Sequence, residues 1–295
     1  MKKVLLIILL VTAIFTITSC NTHTETTALK ITSTIFPYYS FASEIFGNDA
    51  EITMLIKPGA ESHTYDPTPQ DILNIYNSDI FIYTGGESDK WVETILKSVD
   101  KNKTKIIKAM DVIDVCDNEN NTHSHNEMTD EHVWTSPQNA IAISKEIYSA
   151  VNNEKFRVNL DKYVNELNAL DNEFRNIAEN TNKTLIFADR FPFSYFIQEY
   201  DFNYLSAFTS CSEEAEPSSK KLSDIIEAIK KENITSIFYI EFSNQKIADT
   251  ISDETGAKKL LFHSCHNITL DELNSDASYL TLMKQNLNNL KEATR

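Results

Sequence analysis

Within residues 160–177 the apolar residues Leu160, Tyr163, Val164, Leu167, Leu170, Phe174 and Ile177 return every three or four positions, and neither proline nor glycine interrupts them. That spacing places them on one face of an α-helix of about five turns or more. On both sides of this helix the pattern is different. Residues 29–36, 51–56, 80–83 and 105–108 read as strands, alternating with helical segments at 39–46, 70–77 and 90–98. Beyond the helix, strands are expected at 184–187, 236–240 and 258–262, with helices at 193–199, 222–231, 246–255 and from 270 onward. Strand and helix in alternation predict parallel sheets covered on both faces. The expected fold class is therefore α/β, with two lobes, each a mostly parallel sheet flanked by helices, joined by a long rigid helix. The boundaries are 29–152 for the N-terminal lobe, 153–182 for the linking helix and 183–295 for the C-terminal lobe. A site between the lobes is the default expectation.

The first residues are of another kind. Lys2 and Lys3 precede a run that is apolar from residue 4 to 17 apart from Thr12 and Thr16, and Thr18-Ser19-Cys20 follows. The run is short for a membrane span and ends in a polar tract, so residues 1–19 read as a cleaved signal with Cys20 as a lipidated residue. Residues 20–28 then serve as a tether. One acyl-modified cysteine anchors a chain to a membrane surface without making it integral.

Charge and motifs narrow the function. The net charge is −16, and the signal carries two lysines and no acid, so the mature chain is more acidic still. That disfavours nucleic acid and anionic lipid and favours cations. Only five glycines occur and none forms a phosphate-cradling or dinucleotide-binding loop, which disfavours a nucleotide enzyme. No HExxH helix and no GxSxG elbow is present, which leaves a metalloprotease or serine hydrolase without support.

Histidines at strand–loop junctions remain. His63 lies in GAESHTYDPTPQD, where two prolines stiffen the backbone after it. His132 lies in DEHVWTSPQNA, with Asp130 and Glu131 as acceptors for an imidazole N–H. His263 and His266 flank Cys265 after the strand KKLLF; three apart, they reach one ion together if the loop curls, and otherwise one points into the cleft and the other into the protein. Asp189 follows TLIF, and Cys211 lies in AFTSCSEE; both are placed at the cleft. His123 and His125 sit in an acidic, solvated stretch, residues 117–131. Histidine donors without a catalytic base motif favour binding over catalysis. For Cys211 and Cys265 the expectation is a disulfide, suited to the oxidising exterior, with a zinc-bound thiolate as the alternative.

These pieces together resemble a known family. GAESHTYDPTPQDI, FIYTGGESDKWV, EHVWTSPQNA, EAEPSSKKL and TSIFYIEFSNQKIADTISDETGAKKL are similar to the zinc- and manganese-binding lipoproteins of ABC transporters, the cluster A-I substrate-binding proteins that include the ZnuA-like zinc binders. The resemblance spans essentially the whole mature chain. It implies a metal in the cleft, His63 as first ligand and His132 as second. It places a third ligand just past TLIF, where Asp189 and Arg190 stand, and a fourth after the last strand, close to His263. The implied ligand set is thus His63, His132, His263 and Asp189. The implied cargo is zinc, with manganese second because it prefers carboxylates. The implied partners are a membrane permease and its ATPase, engaged by an extracytoplasmic monomer anchored through Cys20. A metal-binding surface adhesin and a zinc hydrolase are the competing readings.

Overall fold

A computed structural model describes residues 28–113, 130–208 and 217–295. The signal, Cys20, Cys116, Cys211 and the stretch 117–131 up to residue 129 lie outside them. Among the described residues no helix is long and apolar enough to cross a membrane.

The N-terminal lobe is built on β1 (Leu29–Ser33), β2 (Ala50–Met54), β3 (Ile80–Tyr83) and β4 (Lys105–Lys108), in the order β2-β1-β3-β4 with every pair parallel. The C-terminal lobe repeats the plan with β5 (Leu185–Phe187), β6 (Tyr204–Ser206), β7 (Ser236–Tyr239) and β8 (Lys258–Leu261), ordered β6-β5-β7-β8 and again all parallel. The crossover helices of the first lobe are α1 (Phe36–Phe46), α2 (Pro69–Asn77) and α3 (Lys90–Leu96), followed by the short α4 (Ala109–Val112). β3 reads IFIY and all four residues are buried, as a strand covered on both faces requires. In each sheet the chain moves one way from the first strand and then returns to its other side. That creates a crevice at the carboxyl ends of the strands, where ligands of open parallel sheets bind.

After α5 (Pro137–Ser149), α6 (Arg157–Asn180) runs 24 residues, about 36 Å, and buries Leu160, Tyr163, Leu167, Leu170, Phe174 and Ile177. The expected long helix is therefore present and continuous. The C-terminal lobe continues with α7 (Ser194–Tyr200), α8 (Ser219–Glu232), α9 (Lys246–Thr255), α10 (Leu270–Asn274) and α11 (Tyr279–Ala293). α11 does not stay within its own lobe. It packs on α1 and α6, and Tyr279 donates its N–H to Ser40 Oγ at 2.9 Å and its O–H to the Trp134 carbonyl at 2.7 Å. One apolar core consequently runs through both lobes, from Ile31 and Phe41 through Trp134 and Phe174 to Phe238 and Leu290. β6 was not foreseen: it is a three-residue edge strand with little apolar pattern of its own.

Candidate metal centre

Loops at the carboxyl ends of the two sheets meet between the lobes. The first, after β2, carries His63. Its far end is fixed by the start of α2, where Thr68 and Asp71 form a reciprocal cap behind Pro69 and the Tyr65 hydroxyl donates to Asp71 Oδ2 at 2.7 Å. Its near end is fixed from the opposite lobe, where Asn267 Nδ2 donates to the carbonyls of Lys57 and Ala60, both at 2.8 Å. The second loop, after β4, carries His132 at the entry to a short 3-10 turn (Val133–Thr135), and Ser136 caps α5 directly behind it.

The third loop, after β8, carries His263, Cys265 and His266. Asn286 of α11 grips His263 by accepting its N–H at 2.7 Å and donating to its carbonyl at 2.8 Å. Cys265 takes a left-handed φ of 60° and donates its N–H to His263 Nδ1 at 2.9 Å. That reversal turns the next residue but not His263 toward the opposite lobe. Glu241, after β7, accepts the Ser264 N–H at 2.7 Å and also the Ser264 hydroxyl, which in turn accepts the His266 N–H at 3.1 Å.

The outcome is a cluster of His63, His132 and His266 whose ligand atoms all lie within 4.8 Å of one another. Ring centroids are 5.8 Å apart for His63 and His132, 5.2 Å for His63 and His266, and 5.1 Å for His132 and His266. Trp134 covers two of the rings, at 5.3 Å from His132 and 4.9 Å from His266. Tetrahedral zinc with Zn–N bonds of about 2.0–2.1 Å sets its donors about 3.4 Å apart, so the rings need to close by roughly an ångström around an ion.

Each ring is held by Nδ1. His63 Nδ1 lies 2.8 Å from Ser88 Oγ and 3.3 Å from Glu131 Oε1. His132 Nδ1 lies 2.6 Å from Asp130 Oδ1, which also accepts the His132 N–H at 2.9 Å. His266 Nδ1 lies 3.4 Å from Ser62 Oγ. A proton on Nδ1 shared with a carboxylate sets the lone pair on Nε2, the atom turned to an ion. Burial works to raise the pKa of both carboxyls. His63 and Ser88 nevertheless hold Glu131 down to about 2, and His132 holds Asp130 down to about 2. Two carboxylate charges therefore stand directly behind two of the rings. Burial, with His132, His63 and Arg190 nearby, drives the His266 pKa well below the ordinary histidine value, so that ring is a neutral donor. Gly86 is demanded by this packing, because a Cβ there would stand 2.0 Å from Glu131 Oε2.

The expected ligands divide. The structure brings His63 and His132 together, and His266 is the third member of the cluster. His263 is elsewhere: its Nδ1 accepts from Cys265, and Glu241 and Glu272 flank it at 3.6 and 3.5 Å. Asp189 is buried after β5. Its Oδ1 accepts the Arg190 N–H at 2.8 Å, and its buried Oδ2 has no hydrogen-bond partner. It too lies outside the 4.8 Å group. Cys265 is a free, buried thiol among the described residues, and Cys211, its expected disulfide partner, lies outside them. The Cys265 Sγ is spent on the His263 carbonyl at 3.8 Å.

The model of one protein family, ZnuA (zinc-uptake complex component A periplasmic), matches residues 31–293. The chain belongs to the ZnuA family. It is 29% identical over 308 residues to the zinc-binding lipoprotein AdcA of Streptococcus pneumoniae, covering 100% of this chain and 61% of AdcA. It thus spans about three fifths of the length of that relative. It is 28% identical over 279 residues to the high-affinity zinc uptake system protein ZnuA of Bacillus subtilis, covering 90% of this chain and 87% of the relative. Among solved structures, the Zn(II)-bound ZnuA-like domain of S. pneumoniae AdcA superposes with a TM-score of 0.74 at 28% identity, covering 90% of this chain and 98% of the domain. The metal-dependent lipoprotein YcdH of B. subtilis gives a TM-score of 0.76 at 28% identity, covering 90% of this chain and all of the other.

Proposed function

We propose that this chain is an extracytoplasmic solute-binding lipoprotein, anchored through Cys20, that captures one zinc ion with His63, His132 and His266 and delivers it to an ABC-type permease and its ATPase. The observation that carries this reading is the cluster itself: three imidazole donors from both lobes within 4.8 Å, with hydrogen-bond partners set behind them. Imidazole donors suit zinc, whereas manganese prefers oxygen ligands. The names of the relatives, zinc-binding lipoprotein AdcA and high-affinity zinc uptake system protein ZnuA, point to the same cargo. The two acids nearest the rings are committed to holding them, so neither is placed to activate a metal-bound water as a hydrolase requires. Competition titration of the purified mature chain with a zinc-responsive chelator tests the reading. One tightly held zinc per chain, weakened in H63A, H132A and H266A, is expected; a chain that takes up no zinc, or that binds manganese more tightly, overturns it.

A further inference from the structure

On the side of the cluster formed by His63 and His266, a cavity of 260 Å³ opens, walled also by Glu61, Ser62, Arg190 and Ser264. Water occupies about 30 Å³ per molecule in the liquid, so this space accepts a solute of several non-hydrogen atoms. Among the described residues the cluster offers three donors, and zinc takes four. The cavity wall also holds a cation. Among the described residues Arg190 has a single ion pair, Nη1 to Glu61 Oε2 at 3.5 Å, longer than a charge-assisted hydrogen bond and far from saturating a guanidinium fork. The other acid on the wall, Glu241, is engaged through both oxygens by Ser264. Glu61 likewise accepts the His63 N–H through Oε1 at 3.2 Å. An anion with two oxygens is the complement of a guanidinium fork with one long ion pair set beside a metal cluster of three donors.

We propose that the chain binds its metal together with a small carboxylate from solution, one oxygen on the open side of the three-histidine cluster and the other on the Arg190 guanidinium. This rests on the zinc-binding reading above. The cargo would then be a metal with its carboxylate, recognised as a pair. The alternative source of a fourth oxygen is Asp189, whose buried Oδ2 has no partner but which already lies outside the cluster.

Cobalt(II) loaded in place of zinc gives a visible spectrum that reports its ligands. Glycolate is the probe, with neutral glycolamide as its control. Saturable change of the cobalt spectrum with glycolate but not glycolamide is expected, with the glycolate midpoint raised about tenfold in R190Q, the loss of one charge-assisted contact. The glycolamide comparison in the wild-type chain stands even if R190Q does not fold. A spectrum indifferent to glycolate overturns the inference. So does a glycolate response unchanged in R190Q, or a D189N chain whose spectrum shifts without any added carboxylate, since Asp189 would then be the fourth ligand. Failure to take up cobalt or zinc at all would instead sink the zinc-binding reading.

Discussion

The indole N–H of Trp134 donates to the backbone carbonyl of Ser264 at 2.8 Å, tying the lobe that carries His132 to the loop that carries His266. Trp134 is fully buried and its own carbonyl accepts from Tyr279, so the tie is anchored at both ends. W134F keeps an aromatic ring in place but leaves the Ser264 carbonyl unpaired. We expect a loss of about 1–3 kcal/mol in stability together with weaker zinc binding, because the same bond fixes His266. Denaturant unfolding of zinc-free W134F, compared with its zinc titration, checks this; unchanged zinc affinity would show that the bond is not needed to place the ring.

The two histidines of the HSCH loop should behave differently. H266A removes a donor and is expected to lower zinc affinity more than about 100-fold, beyond what loss of a supporting partner costs. H263N removes a ring that supports the turn at Cys265 and lies against Glu241 and Glu272, outside the cluster, and it should retain one zinc per chain. Stoichiometry and affinity measured side by side decide the assignment. The opposite ranking would return His263 to the ligand set.

Glu131 serves His63 through a hydrogen bond rather than by touching the ion. E131Q should therefore weaken zinc about 10–100-fold without abolishing it. G86A should act through the same contact, because a Cβ at that position would press on Glu131 Oε2 at 2.0 Å. A zinc titration of each variant provides the measurement, and full affinity in G86A would mean that Glu131 has room to retreat.

Acid should weaken both binding and the metal-free fold. His266 is neutral in the native state with a lowered pKa, so below about pH 6.5 the unfolded chain binds a proton there that the native chain refuses. Native stability consequently falls as pH falls from that point. Asp130 and Glu131, held at about 2, add a second loss that begins only as the unfolded carboxyls protonate near pH 4. Protons also compete with zinc for the imidazole lone pairs, so zinc affinity declines over the upper range first. Thermal melts of zinc-free protein from pH 7.5 to 3.5, beside zinc titrations, should show these two stages. A melting temperature that rises on acidification to pH 5 would contradict the sign.

Lobe closure should be small. α6 is continuous over 24 residues without proline or glycine, and α11 locks the lobes a second time through Tyr279. Solution scattering with and without zinc should give nearly superimposable profiles, with change confined to the loops of the cleft. A change in overall dimensions of the size a hinge rotation of tens of degrees produces would refute it.

Much of this architecture was legible before any coordinates. The 3–4 repeat of α6, the buried run of β3 and the proline-stiffened loop holding His63 are local patterns, and local patterns survive in a linear text. The loops that carry His63 and His132 were legible for the same reason: each has a partner or a rigid turn within a few residues, Asp130 for His132 and Pro67 and Pro69 for His63.

The third histidine was decided only in three dimensions. His263 and His266 are chemically identical and three positions apart, and both follow the same strand. What separates them is the left-handed turn at Cys265, the grip of Asn286 from 23 residues away and the pull of Glu241 on Ser264. Arg190 joined the cavity wall in the same way, through the opposite lobe's Glu61. A sequence states which side chains can ligate. Which of them face one point in space depends on contacts between segments far apart along the chain, and those exist only once both sheets have packed against α6.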